Sequence, residues 1–322
     1  MLINKIHIKN YKSLVNLEII NPNPFTVFFG TNAAGKSNIF EALELSSFVV
    51  RKPGEAQKFF SGFKELFTFQ KVGTDDNSIV VRIETSSNNI LEFEVAENRD
   101  KIIPRLFDSN GEIKKDFGEL FTRIFLSNTN IIKEIFRDDK KLNSDGSNSA
   151  KVLNRLLKDL TIKEEIIEWL QFIIPEFQDL QIIKDTLSGE ENIIIYEDYS
   201  DNPFSGELIS DGTKNSISLI TALYQSNEPQ FLLIEEPENG LNPKVIKEFV
   251  NICRELVREK GHTIWLATHS QTLVSEIKPE EAIMVYKEHG QTKIKQFLGI
   301  NLHGLRMDEA WLSNVLGGGI PW

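Results

Sequence analysis

Cysteine is nearly missing. One residue, Cys253, in a chain of 322 leaves nothing to pair with, so neither a disulfide framework nor a cysteine-based metal site organises the fold. Long apolar runs are also absent. No stretch approaches the ~20 residues of a membrane helix, and the polar start does not read as a secretory signal, so a cytoplasmic location without membrane contact is expected. No sustained heptad run occurs, which excludes an extended coiled coil, and there is no internal repeat or low-complexity tract. Positive charge is short as well: 36 Lys and Arg against 47 Asp and Glu give −11, which argues against a surface coated uniformly by nucleic acid. One basic groove can still coexist with an acidic exterior. Lys114-Lys115 and Lys140-Lys141 are the doublets that would meet phosphate, although a solvated helix face is their plainer role.

What remains is ordinary globular material, 40% apolar and 26% charged, long enough for a sizeable core in one large or two interleaved domains. Within it, Gly30-Thr31-Asn32-Ala33-Ala34-Gly35-Lys36-Ser37 spells G-x-x-x-x-G-K-S. The β-rich run Phe25–Phe29 precedes it, and helical spacing from Lys36 to Leu45 follows. A strand, a glycine turn and a helix N-terminus direct backbone N–H groups at an anion. Lys36 is expected to reach the β- and γ-phosphates, and the Ser37 hydroxyl to ligate Mg²⁺. The loop from Gly30 through Asn38 is therefore the candidate nucleotide cradle, with ATP and Mg²⁺ as its ligands.

A second buried strand, Phe231–Ile234, delivers Glu235 and Glu236 to the sheet edge where open α/β sheets bind ligands. Glu235 is expected in the Mg²⁺ shell, and Glu236 as the base that orients and deprotonates water. A third strand, 263–267, ends in Thr268-His269-Ser270 at that edge, which places His269 to sense the γ-phosphate. Ser210-Asp211-Gly212-Thr213 precedes the apolar helix 217–224 and, taken alone, is a good helix start with a Ser or Asp cap.

These motifs, in this order, resemble the ABC-type ATPases. The opening Met1 to Leu14, the G-x-N-A-A-G-K-S-N loop, S-D-G-T, I-E-E-P-E-N-G-L-N-P and A-T-H-S are similar to the RecF/SMC-related branch, close to the ATPase part of overcoming-lysogenization-defect nucleases. Ser144 to Asn148 before a helical stretch, and Trp311-Leu312 with Gly317 to Gly319, are softer points of likeness. The resemblance implies an α/β fold: an ABC-type head, with a P-loop mixed sheet and an antiparallel β layer, plus a mainly helical insertion. It implies a core of 1–98 and 205–322 around an insertion at 99–204. It also implies that Ser210, Asp211 and Gly212 contact nucleotide held by a second copy, so that a homodimer closes around ATP, and that a glutamine such as Gln70 joins the metal shell.

Departures from the wider ABC pattern narrow this. Glu235 stands where transporter-type heads carry Asp, Asp211 replaces a glycine of L-S-G-G-Q, and Asn242 stands where an acid is common. The related nucleases carry a Toprim domain whose metal site needs a D-x-D pair, and no D-x-D occurs here. The expected function is a Mg²⁺-dependent ATPase that regulates a separately encoded effector, a Toprim-like or other nuclease, in bacterial anti-phage defence or DNA maintenance. DNA would be met directly or through that effector. An ATP-gated scaffold with negligible turnover and a transporter nucleotide-binding subunit are the alternatives.

Periodicity predicts the other elements. Strands at 3–8 and 14–20 and a hairpin of 79–84 with 90–95 supply the antiparallel layer. The stretch 116–177 reads as helical, with Leu153, Leu156, Leu157 and Leu160 on one face and Ile166, Ile167, Leu170 and Ile174 continuing it. A strand at 193–196, a helix at 273–277 and a hairpin of 282–286 with 294–297 follow. The small polar run 143–149 is expected to be a mobile loop.

Overall fold

The computed structural model describes residues 2–52, 55, 78–86, 89–98, 101–108, 118, 121–126, 138–187, 189–206, 208–313 and 315–316. In chain order its elements begin with β1 (Ile3–Tyr11), β2 (Leu14–Ile20), β3 (Phe25–Phe29), α1 (Lys36–Arg51), β4 (Ile79–Thr85), β5 (Ile90–Asn98), β6 (Lys101–Asp108) and β7 (Phe121–Ile124). Next come α2 (Ser149–Leu156), α3 (Leu160–Ile173), β8 (Phe177–Lys184), β9 (Glu191–Glu197), β10 (Phe204–Ser205) and α4 (Asp211–Tyr224). The chain closes with β11 (Phe231–Glu235), α5 (Pro243–Lys260), β12 (Thr263–Thr268), α6 (Gln271–Ser275), β13 (Ala282–Glu288), β14 (Gln291–Gln296) and α7 (Met307–Leu312).

Period-two alternation builds the first layer. In β1 and β2, Ile6, Ile8, Leu17 and Ile19 are buried while Asn16, Glu18 and Ile20 face out. β4 alternates in the same way. These strands pair antiparallel in the order β2-β1-β4-β5-β6.

The second layer has no outward face at its centre. Every residue of β3, β11 and β12 is buried, as parallel strands covered on both sides must be. Their sheet runs β14-β13-β3-β12-β11-β7, parallel throughout except for the β13–β14 hairpin at one edge. Successive residues feed opposite cores. Phe28, Leu233, Trp265 and Ala267 meet α1 and the antiparallel layer, while Val27, Phe29, Leu232, Ile234, Ile264 and Leu266 meet the helices on the other face. Trp265 is fully enclosed, edge to face with Phe231 at 4.9 Å, and its Nε1 donates to Asn23 O at 3.2 Å.

The expected hairpins and the strand at 193–196 are present as β4–β5, β13–β14 and part of β9. Other expectations need correction. The stretch 99–204, read as mainly helical, holds β6 to β9 as well as α2 and α3, and 121–124 is a strand rather than helix. Four residues carry too little periodicity to reveal a strand, and β7, buried throughout, extends the sheet beside β11. Leu160 is 74% exposed, because the helical stripe breaks: α2 stops at Leu156, and Asp159 caps a new helix by accepting from Thr161 N and Ile162 N. The run 143–149 is tied down by its own side chains. Asn148 Oδ1 accepts from Asn143 N at 2.7 Å, Asn148 Nδ2 donates to Lys141 O at 2.8 Å, and Ser149 Oγ meets Ser218 Oγ of α4 at 2.9 Å. Small polar side chains replace a backbone ladder here, which composition alone reads as mobility.

Candidate nucleotide site

β3 ends at Phe29, the loop turns through residues 30–35, and α1 starts at Lys36. Both loop glycines are sterically required. A Cβ on Gly30 (φ +153°) would lie 2.0 Å from Val285 O of β13, and one on Gly35 (φ +108°) 2.1 Å from Thr292 Oγ1 of β14. A relay of hydrogen bonds straps the loop to the hairpin: Asn38 Nδ2 donates to Ser13 Oγ (2.7 Å), Ser13 Oγ lies 2.7 Å from Thr292 Oγ1, and Thr292 Oγ1 donates to Ala34 O (2.8 Å). The Asn38 side chain is thus turned to Ser13, while Asn32 and Ala33 are exposed at the loop's tip.

Lys36 folds back over the loop, donating to Gly30 O at 2.9 Å and Thr31 O at 3.0 Å. Burial pulls its pKa below the ordinary lysine value, against the opposing pull of Glu236, Glu238 and Glu235. Ser37 Oγ donates to Glu235 Oε2 at 2.5 Å. The hydroxyl and the carboxylate, 198 residues apart in the chain, therefore share one point at the sheet edge.

Glu236 lies one residue beyond β11 with φ +48°, a left-handed conformation that costs a non-glycine residue about 1–3 kcal/mol and concentrates at functional sites. Its N–H donates to Ala267 O at 2.8 Å, and Asn239 Nδ2 donates to its Oε2 at 2.9 Å. His269 Nδ1 stands 3.7 Å from Glu236 Oε1 and 3.8 Å from Glu238 Oε1. Thr268 Oγ1 anchors Glu238 Oε1 at 2.6 Å. Lys36, Ser37, Glu235, Glu236 and His269 are thus gathered at one edge of the sheet.

Ser210, Asp211 and Gly212 stand at the start of α4. Ser210 caps α4, its Oγ accepting from Thr213 N at 3.1 Å, and both Ser210 and Asp211 are exposed. Gly212 packs on Gly240, where an added Cβ would come within 2.8 Å of Gly212 Cα. Gln70 lies outside the described residues.

Sequence reasoning missed a buried ion cluster behind Glu235. Arg123 of β7 reaches Glu235 Oε1 through Nε (2.7 Å) and Nη2 (2.5 Å), and Glu44 Oε2 of α1 through Nη1 (2.6 Å). Burial disfavours the cation, but the carboxylates of Glu235 and Glu44 more than reverse this, so its pKa is raised. Burial raises the Glu44 carboxyl, with Arg123 opposing. The signal was present in both stretches: Phe121-Thr-Arg-Ile-Phe125 sets one charge inside an apolar run, and Ile39-Phe-Glu-Ala-Leu-Glu-Leu45 sets two, Glu41 and Glu44, among apolar neighbours.

Residues 25–275 match the protein family described as "AAA domain, putative AbiEii toxin, Type IV TA system". The chain belongs to this family. Its fold is that of an ABC/SMC-type ATPase head. Among curated proteins, it is 29% identical over 118 residues to a "Putative ABC transporter ATP-binding protein" of Pyrococcus horikoshii, covering 35% of this chain and 42% of that one. It is 33% identical over 76 residues to a methionine import ATP-binding protein of Streptococcus pyogenes, covering 24% of this chain and 21% of the other. The chain spans less than half the length of these curated relatives. In fold, it is similar to an SMC head bound to the C-terminal winged-helix domain of ScpA, with TM-score 0.61 and 15% identity over 92% of this chain and 97% of the other. The SMC head of Thermotoga maritima gives TM-score 0.52 at 15% identity over 92% of this chain and 99% of that one. The mixed parallel sheet, antiparallel layer and flanking helices of this ATPase are those of an SMC-like α/β head. No helix among the described residues is long and apolar enough to cross a membrane.

Proposed function

We propose that this AAA-domain ATPase binds ATP with Mg²⁺ in the loop 30–38, hydrolyses it, and does so as a head-to-head homodimer that regulates a separately encoded effector. The observation that carries the reading is the meeting of Ser37 Oγ and Glu235 Oε2 at 2.5 Å, with Glu236 the next residue along. Hydroxyl and carboxylate oxygens suit a hard divalent cation. No group of three or more His, Cys, Asp or Glu side chains that could hold a metal occurs among the described residues, which fits a cation held partly by nucleotide oxygens. When bound, Mg²⁺ neutralises charge on the phosphates.

The remaining steps belong to the chain. The backbone N–H groups of the loop 30–38 and the α1 N-terminus bind the phosphates. Lys36 exchanges Gly30 O and Thr31 O for phosphate oxygens, which offer its ammonium a full counter-charge. Glu236, held by Asn239, accepts the proton of the attacking water. His269, on the same edge, reads the terminal phosphate. Ser210 and Asp211, exposed at the start of α4, and the half-buried Gly212 beside them meet the nucleotide of the second copy. Residues 1–98 and 205–322 form the nucleotide core and 99–204 an insertion, with β7 lent back to the core sheet.

The effector half of the proposal is supported by the SMC head neighbour, whose crystal structure holds it with the separate polypeptide ScpA. A nuclease effector in anti-phage defence or DNA maintenance, an overcoming-lysogenization-defect-like lineage and a cytoplasmic setting belong to the same proposal. The transporter relatives favour a second reading, a nucleotide-binding subunit of an importer. Asp211 in the signature and the RecF-like opening weigh against it. Phosphate release and solution mass, each measured with and without ATP and Mg²⁺, test the proposal. Turnover and an ATP-dependent doubling of mass are expected. Tight ATP binding without turnover would leave a scaffold instead.

A further inference from the structure

Glu235 is one methylene longer than an Asp at the same place, so its carboxylate has an additional torsion to fix. The fixing comes from β7. Arg123 lies opposite Leu233 in the parallel β7–β11 register, two residues before Glu235 on the same face, and its guanidinium is buried, with a side-chain exposure of 1%. Two of its nitrogens, Nε and Nη2, converge on a single atom, Glu235 Oε1, at 2.7 and 2.5 Å. Nε donates a hydrogen bond to Oε1 and Nη2 adds an ion-pair contact to the same atom, so the guanidinium encloses Oε1. Oε2 alone is turned to Ser37. The third contact, Nη1 to Glu44 Oε2 at 2.6 Å, stops the guanidinium from rotating. Glu44 lies seven residues after Ser37 on α1, two helical turns along the same stripe. Strand β7, strand β11 and helix α1 thus hold one carboxylate in one orientation.

We propose that Arg123 is a positioning residue that makes Glu235 a one-oxygen ligand and thereby sets the cation preference of the site. The inference rests on the nucleotide–Mg²⁺ reading above and deepens it. Mg²⁺ demands a compact octahedral shell and takes carboxylates through one oxygen. Ca²⁺ is larger, accepts six to eight oxygens and readily takes both oxygens of one carboxylate. Blocking Oε1 therefore disfavours Ca²⁺ while leaving Mg²⁺ its ligand. Releasing Oε1 should narrow the difference.

The test compares wild type with Arg123→Lys, which keeps the charge but has no planar fork to enclose Oε1 and still reach Glu44. Binding of a fluorescent ATP analogue is titrated without metal, with Mg²⁺ and with Ca²⁺, alongside circular dichroism to establish folding. In wild type, Mg²⁺ should tighten binding more than Ca²⁺. In Arg123→Lys, the apparent Mg²⁺ affinity should fall about 10–100-fold, the range for residues that support a metal ligand. The Mg²⁺/Ca²⁺ ratio should fall with it, and the metal-free affinity should be unchanged. If the lysine variant does not fold, Arg123→Gln combined with Glu44→Gln removes one charge of each sign and reads the same ratio. An unchanged ratio in a folded variant overturns the inference, as does a parallel loss of metal-free and metal-assisted binding, the mark of a merely structural residue. Wild type whose nucleotide binding ignores Mg²⁺ overturns the parent reading instead, and this inference with it.

Discussion

The side-chain amide of Asn239 donates to Glu236 Oε2 at 2.9 Å. The carbonyl of the same asparagine accepts from Asn215 Nδ2 of α4 at 3.4 Å, and the next residue, Gly240, rests on Gly212. One short turn therefore joins the proposed base to the first turns of the helix that Ser210 caps. A helix start that senses a second copy's nucleotide would be wired, through two residues, to the acid that spends its own.

Asn239→Ala should lower kcat and leave KM for ATP nearly unchanged, because the amide touches the base and not the loop 30–38. A hydrogen bond to a charged group contributes ~1.5–3 kcal/mol, so a fall of about 10–100-fold is expected. Steady-state kinetics check it. A rise in KM at constant kcat would mean that Asn239 serves nucleotide binding.

The placement of the motif residues was legible in the sequence because each motif brings its own local context: an apolar strand, then the polar residues it delivers. Lys36, Ser37, Glu235, Glu236 and His269 stand at one edge of the sheet. Arg123 was not legible. Its role depends on β7 joining the sheet beside β11, across more than a hundred residues of chain, and a four-residue strand carries no period that announces such a partner. The run 143–149 failed for a different reason. Small polar residues signal either mobility or a loop closed by its own side chains, and only the contacts to Lys141 and Ser218 distinguish them.

Composite sites predict complementation. Ser210→Arg should block the surface proposed to face the other copy's nucleotide, and Lys36→Ala should weaken binding in its own loop. Mixed together, the two inactive chains can form a heterodimer with one intact site. Partial recovery of ATPase activity on mixing is expected. Activities that merely add would contradict shared sites.

His262 provides a pH-dependent element of stability remote from this chemistry. It follows the Gly261 cap of α5; its Nδ1 accepts from Gln230 N at 3.3 Å, and Nε2 is buried without a hydrogen-bond partner among the described residues. Burial, reinforced by Lys260, lowers its pKa to about 4, against ~6.5 in an unfolded chain. Between those values the unfolded state binds the extra proton, so stability is complete above pH ~6.5 and falls as the pH drops toward 4, by about 2–3 kcal/mol. Urea midpoints across that window should show the loss, and His262→Gln should flatten it. An identical slope in the variant would remove His262 from the account.

The central claim is that Glu236 is the base of an ATPase whose nucleotide is held elsewhere, by the loop 30–38. Single-turnover phosphate release by Glu236→Gln, with ATP binding measured on the same preparation, tests it most directly. The account predicts ATP and Mg²⁺ affinity close to wild type and a hydrolysis rate lower by about 10²–10⁴-fold. Hydrolysis at the wild-type rate would contradict it.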